Sequence, residues 1–182
     1  MPPHYIIGLD VDGVVADFAS AYKALCETLI GKPIPSMDQW DFPQAAGYSD
    51  TEVAVVWKFI HQYPEWWDTL VPLETEAAFP GADVYYITAR PRVPGTLAIT
   101  ESWLRRHVDP QARVILASDK GAAARALQLT HYVDDRPENL ASVKMYNPWT
   151  RTFLREQPWN QGMRAWPGTR ITALKEVDLW SK

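Results

Sequence analysis

Cysteine is almost missing from this chain: Cys26 is the single one in 182 residues, which excludes an intramolecular disulfide and any cysteine-built metal site. No stretch approaches the roughly 18 uninterrupted apolar residues that a membrane-spanning helix needs. The opening MPPHYIIG also lacks the basic-then-apolar order of a secretion signal. These lacks together lead to the expectation of a soluble, cytoplasmic protein. An excess of basic charge is lacking too. Lys and Arg number 18 against 22 Asp and Glu, a net charge of −4, so the whole-chain field offers no general attraction for nucleic acid or an anionic membrane. The four histidines (His4, His61, His107, His131) are dispersed without ligand spacing, and GxxxxGK, GxSxG, HExxH and CxxC are all absent.

What is present is an ordinary globular composition, 47% hydrophobic and 22% charged, which argues against disorder. The length suits one sizeable core with a small inserted module. Nine tryptophans are many for this length; they call for a strongly aromatic core or a pocket that stacks something flat.

The chain is organised around residues 5 to 18, YIIGLDVDGVVADF. Tyr5 to Leu9 reads as a buried strand, and Asp10 and Asp12, at i and i+2 on extended backbone, project to the same side. Gly13 then permits a sharp turn. Residues 16 to 30 have helical spacing, ended by Gly31 and Pro33. Residues 32 to 49 are broken by three prolines and read as loop or a very short helix. Ser49 with Glu52 forms a capping box for a helix over roughly 50 to 62 that Pro64 stops, and PEWWDTLVPLETEAAF returns the chain towards the core.

Further on, strand and helix alternate: DVYYIT (83 to 88) as strand, 96 to 108 as helix, ARVILA (112 to 117) as strand, 119 to 129 as helix, HYVDD (131 to 135) as strand. Pro137 is expected to start a helix, and a last strand is expected near 143 to 146. The alternation predicts an α/β fold, a Rossmann-like parallel sheet with helices on both faces, whose ligands sit at the carboxyl ends of the strands. Asp10, Asp12, Thr88, Asp134 and Asp135 fall at such ends, with Lys120 close by.

Each of these signals has a bland reading alone: DxD occurs in ordinary turns, Thr88 can be a cap, Lys120 a solvated lysine, and a DD pair a helix-capping turn. Jointly they match the needs of phosphate ester cleavage. A carboxylate can attack phosphorus and split one hard step into two, provided a hard dication such as Mg²⁺ removes the repulsion between anions. Asp10 with Asp134 or Asp135 could hold that ion. Lys120 and Thr88 suit the remaining phosphoryl oxygens, and Asp12, a second carboxyl two residues from the nucleophile, suits proton transfer.

DVDGVVAD, YITARP, the DKG lysine and VDDRPEN resemble the four motifs of the haloacid dehalogenase superfamily of phosphohydrolases. Within it, LDVDGVVADF, EWWDTLVPLE and DKGA followed by VDDRP are most similar to the 5′(3′)-deoxyribonucleotidase family and its bacterial and phage relatives. The resemblance implies a Rossmann-like catalytic core over residues 1–17 and 73–182, with a small helical cap over 18–72. It further implies Asp10 as nucleophile, Asp12 as acid/base, and Mg²⁺ held by Asp10, the Asp12 backbone carbonyl and an acid of the DD pair. Alignment of strand ends favours Asp135 for the metal, with Asp134 beside it. The second acid, Asp12, points to phosphatase rather than dehalogenase.

Two departures from the family stand out. Only LETEAAFPGA separates the cap from the second strand, where relatives carry a longer helix. The second motif places Thr88, Ala89 and Arg90 at the substrate, and Arg90 is an extra cation that either binds phosphate or solvates the rim.

The substrate must come from the cap. Phe18 stands where the resembled nucleotidases put an aromatic over the base, and Trp40 and Phe42 lie in the corresponding cap loop, while Trp57, on an apolar helical stripe, is assigned to the core. The expectation is a Mg²⁺-dependent 5′-nucleotidase working on (deoxy)nucleoside monophosphates through an aspartyl-phosphate intermediate. Two alternatives stay open: a phosphatase for another small ester or a polynucleotide end, and a catalytically idle nucleotide-binding protein. The polynucleotide reading draws on the tail, where Trp149, Trp159 and Trp166 interleave with Arg151, Arg155, Arg164 and Arg170; the acidic whole disfavours a nucleic-acid partner. Nothing in the sequence determines the oligomeric state, a dimer included.

Overall fold

The computed structural model describes residues 4–77, 79–162 and 168–179. Six strands form one sheet in the order β3-β2-β1-β4-β5-β6, and every pairing is parallel. They are β1 (Tyr5–Leu9), β2 (Ala82–Thr88), β3 (Val114–Leu116), β4 (His131–Asp134), β5 (Arg151–Arg155) and β6 (Thr169–Ile171). Chain order runs outward from β1 in one direction and then resumes beside it with β4. Neighbouring loops therefore diverge at the β1/β4 junction and leave a crevice at the strand ends, the place where parallel sheets bind ligands.

Period-2 alternation makes the central strands apolar on both faces. Ile7, Leu9, Tyr86 and Val133 belong to one buried cluster; Ile87, Tyr132 and Leu154 belong to the other. The second face is covered by α5 (Lys120–Leu127) and α6 (Pro137–Tyr146), through Ala124, Leu140 and Val143. The first is covered by α4 (Thr96–His107), through Trp103 and Leu104, and the same buried cluster continues into the helices between β1 and β2. Those helices are α1 (Phe18–Ile30), α2 (Phe42–Ala45) and α3 (Asp50–Gln62), followed by a 3₁₀ segment (Pro64–Thr69).

Local chemistry sets their ends. Asp17 accepts the Ser20 amide at 3.1 Å to start α1, and Gly31 closes it in the left-handed region with its N–H on Glu27 O. At α3 the Ser49 and Glu52 side chains satisfy each other's backbone N–H, at 3.3 and 2.8 Å. Where the insertion leaves and rejoins the sheet its two strands of chain are laced together: Asp17 N donates to Val71 O and Leu73 N to Val15 O, both at 2.8 Å. Residues 70 to 77 form no helix.

The last strand departs from expectation. Residues 143 to 146 are the end of α6, and the strand is β5, five residues further on. Val143 packs under the sheet as a helical residue; the short apolar run fits either period, and the break comes only at Asn147-Pro148. A sixth strand, β6, has no counterpart among the expected elements; it is three residues long and pairs with β5 across the 13 residues between them. Among the described residues no helix is long and apolar enough to cross a membrane.

Candidate active site

The sequence places two acids after β1, and the turn beyond them closes tightly: Val15 N and Ala16 N both donate to Val11 O at 2.9 Å, and Gly13 N donates to Ala16 O at 2.9 Å. Gly13 has φ +83°, and a Cβ there would stand 2.6 Å from Asp135 Oδ2. Glycine is needed both for the left-handed backbone and for the close approach of the β4 acid.

Three carboxylates meet at this point. Oxygens of Asp10, Asp134 and Asp135 lie within 4.8 Å of one another, all buried. Lys120, the first residue of α5, is 2% exposed; its ammonium sits 2.7 Å from Asp10 Oδ1 and also donates to Ile87 O. Burial, offset by the Lys120 charge and reinforced by Asp134 and Asp12, pushes the Asp10 carboxyl up to about 7. Burial likewise raises Asp134, and raises Asp135 well above the carboxylate range with Asp134 and Asp10 adding to it. With all three ionised, one ammonium would leave a buried excess of two negative charges, and it is against that excess that the carboxyls are raised.

The donors are not equally engaged. Asp134 accepts from the Tyr132 hydroxyl at 2.8 Å, the Arg136 amide at 2.8 Å and the Asn139 amide group at 3.0 Å to each oxygen. Asp135 accepts the Trp159 indole N–H on Oδ2 at 2.9 Å, and its Oδ1 is buried without a hydrogen-bond partner. An all-oxygen set of three carboxyls that would be unbalanced if ionised, with an orphaned buried carboxylate oxygen, fits a hard divalent cation.

Asp12 stands apart from that cluster. Arg90 grips it with a two-pronged fork, Nη2 to Oδ1 at 2.7 Å and Nε to Oδ2 at 3.0 Å, and Thr88 Oγ1 donates to Oδ2 at 3.3 Å. The Arg90 side chain is fully buried, so it does not solvate the rim. It lies over the Trp67 ring at 4.3 Å and donates to Thr100 Oγ1 at 3.1 Å. A fork suits arginine, whose planar donors match both carboxylate oxygens at once.

Above these groups opens a cavity of about 320 Å³. Asp10, Asp12, Thr88, Ala89, Arg90 and Lys120 line its base, and Phe18 and Trp40 line its wall together with Trp57, Trp67, Arg136, Ser118 and Asn139. Asp134 and Asp135 are buried beneath the base. Phe18 stacks on Tyr22, Trp57 and Trp67 at 5.1, 6.1 and 5.8 Å. Phe42 does not reach this cavity: at 3% exposure it packs edge-on to Tyr22 at 5.9 Å behind the wall, because the Asp41-Phe42-Pro43 start of α2 turns the ring inward. Trp57, assigned from sequence to the core, packs against the core cluster and also lines the cavity. Arg136 reaches over the Trp40 ring at 4.7 Å; its position after the DD pair was the only signal for it.

The basic, tryptophan-bearing tail spends its charge internally. Arg155 pairs with Glu74 at 2.6 Å, Arg170 with Glu156 at 2.9 Å, Arg151 donates to Asp178 O at 2.9 Å, and Lys144 donates to Pro148 O at 2.7 Å. Trp149 is exposed, Trp159 faces the site, and Arg164 and Trp166 lie outside the described residues.

Residues 4–167 match the protein family described as 5′ nucleotidase, deoxy (pyrimidine), cytosolic type C protein. A protein of Oceanobacillus iheyensis with the name "Putative nucleotidase OB0422" is 30% identical over 108 residues, 57% of this chain and 53% of that one, so the match spans about half the length of that relative. Among solved structures, the haloacid dehalogenase-like family hydrolase SP0104 of Streptococcus pneumoniae superposes with a TM-score of 0.62 at 12% identity, covering 97% of this chain and 98% of that one. A family IA, variant 3 hydrolase of Entamoeba histolytica gives 0.56 at 9% identity, with 96% of each chain covered. The fold is the haloacid dehalogenase-like one.

Proposed function

The chain belongs to the 5′ nucleotidase, deoxy (pyrimidine), cytosolic type C family, and from that premise we propose that it is a Mg²⁺-dependent phosphomonoesterase acting on (deoxy)nucleoside monophosphates. The observation that carries the reading is a single cavity with a carboxylate-and-lysine base and an aromatic wall. Such a cavity can take the charged end and the flat end of one small molecule.

In this reading Asp10 attacks phosphorus; the new Asp10–phosphorus bond forms as the bond from phosphorus to the ester oxygen breaks. Asp12 gives a proton to the departing oxygen, then accepts one from the water that attacks phosphorus and releases inorganic phosphate from Asp10. Both Asp12 oxygens take an arm of the Arg90 fork, so protonation at either oxygen displaces one arm, and the other arm keeps the carboxyl in place. Lys120 and the Thr88 hydroxyl receive phosphoryl oxygens. Asp10 and Asp135, with Asp134 beside them, hold Mg²⁺, which when bound offsets the charge of phosphate and carboxylates. The helices over residues 18–72 act as the cap, and Phe18 and Trp40 meet the base.

The test is a Mg²⁺-supplemented panel of nucleoside monophosphates and sugar phosphates, read as phosphate release. Cleavage of the nucleotides supports the assignment. Cleavage of sugar phosphates with every nucleotide left intact would overturn it.

A further inference from the structure

The turn that follows β5, Gln157-Pro158-Trp159-Asn160, crosses the chain to the site. Gln157 Nε2 donates to Gly13 O at 2.7 Å, Asn160 Nδ2 to Asp135 O at 2.8 Å, and Trp159 Nε1 to Asp135 Oδ2 at 2.9 Å. The three bonds tie the turn after β1 to the acid after β4, the two sides of the sheet's crevice. Asn160 is fully buried and also donates to Arg155 O at 2.8 Å, which anchors the turn to β5. Trp159 in turn meets Trp40 edge-on at 5.5 Å.

We propose that this turn is a positioning element for the cation site, in which Trp159 sets the orientation of Asp135. A carboxylate on a free side chain can present either oxygen. Here Oδ2 is taken by the indole and backed by the bare Cα of Gly13, where no side chain could stand. Oδ1 is left as the one unpartnered buried oxygen of the cluster, and that is the atom available to a cation. Partners of this kind, which bind a ligand's other atom, tune metal affinity by about 10- to 100-fold. Trp159 carries out this role through Asp135 and touches no reacting atom. The tail's aromatic composition is thereby explained at this position by the site itself.

The inference rests on the cation reading above, so its test reads metal binding rather than turnover. Mg²⁺ is titrated calorimetrically into the full chain as wild type, Trp159→Phe and Trp149→Phe, alongside thermal unfolding in chelator. The expected result is a roughly tenfold weaker Kd for Trp159→Phe, with cooperative unfolding retained in chelator at a somewhat lower midpoint and Trp149→Phe like wild type. Equal affinity in Trp159→Phe and wild type would overturn the proposal. Should Trp159→Phe not fold, Gln157→Leu, which removes the bond to Gly13 O from a partly exposed position, decides by the same measure: weaker binding supports the positioning element and unchanged binding overturns it. Failure of the wild type itself to bind Mg²⁺ overturns the cation reading instead, a result that no comparison among variants can mimic.

Discussion

The base and the wall of the cavity are built by opposite means. At the base, each contact is directional and joins residues far apart in the chain: Lys120 to Asp10, Arg90 to Asp12, Trp159 to Asp135. In the wall, the rings of Phe18, Trp57 and Trp67, with Tyr22 behind them, come from the one stretch between β1 and β2 and stack without any required donor or acceptor. Charged hydrogen bonds in a buried setting tolerate little change, because a lost partner leaves an unsatisfied group. Stacked rings tolerate exchange as long as area is kept. In the function proposed above, the groups assigned to chemistry are thus held rigidly, and those assigned to substrate preference are free to vary.

The strongest break of that contrast is Asp10→Asn. It keeps the shape of the base and removes the carboxylate proposed as nucleophile, and a loss of about 10⁴-fold or more in phosphate release is expected, with thermal stability in chelator undiminished because one of three crowded carboxyls has gone. A retained rate would show that the base does not perform the attack. Next is Arg90→Lys. A point cation cannot bond both Asp12 oxygens, so kcat should fall by about 10- to 100-fold with little change in KM; a rise in KM alone would move Arg90 from the base to substrate binding.

Trp40→Ala probes the wall. Loss of one stacking face costs about 1–3 kcal/mol, seen as a higher KM at nearly constant kcat, and the effect should be larger for nucleotides than for a phosphate ester without a ring. An equal effect on both would remove the wall from recognition. The smallest effect concerns neither region. His131, on β4, is 2% exposed, stacks on Phe153 at 6.0 Å and is pushed down to about 4 by burial, with the Arg151 charge adding to it. Its lowered value means the unfolded chain takes up the proton first. The fold therefore keeps this contribution above about pH 6.5 and loses it as pH falls towards 4. His131→Asn should flatten that part of the stability profile, which separates acid loosening of the sheet from titration of the site.

Much of the fold was readable because it rests on local pattern. The apolar strand into Asp10, the Ser49/Glu52 box and Pro137 at the start of α6 each carry their cause within a few residues. The expected last strand failed for the same reason: four residues cannot distinguish period 2 from period 3.6. Trp57 shows a different limit. Its helical stripe says that the ring faces inward, but an inward ring reads the same whether packed atoms or a cavity lie beyond it. Phe42 is the converse case, a loop aromatic that a proline-led turn directs into packing.

What the sequence determined by itself was the set of chemical groups, their order along the chain and their arrival at strand ends, since backbone periodicity and turn residues act over short range. Which partner each group takes was decided only in three dimensions. Asp10 and Asp12 are the same residue two positions apart, yet one faces Lys120 and two further acids while the other is held by Arg90. Trp159 reaches Asp135 from 24 positions away. These pairings depend on strand order and on the depth at which each side chain is buried, and neither quantity is written in the neighbourhood of any one residue.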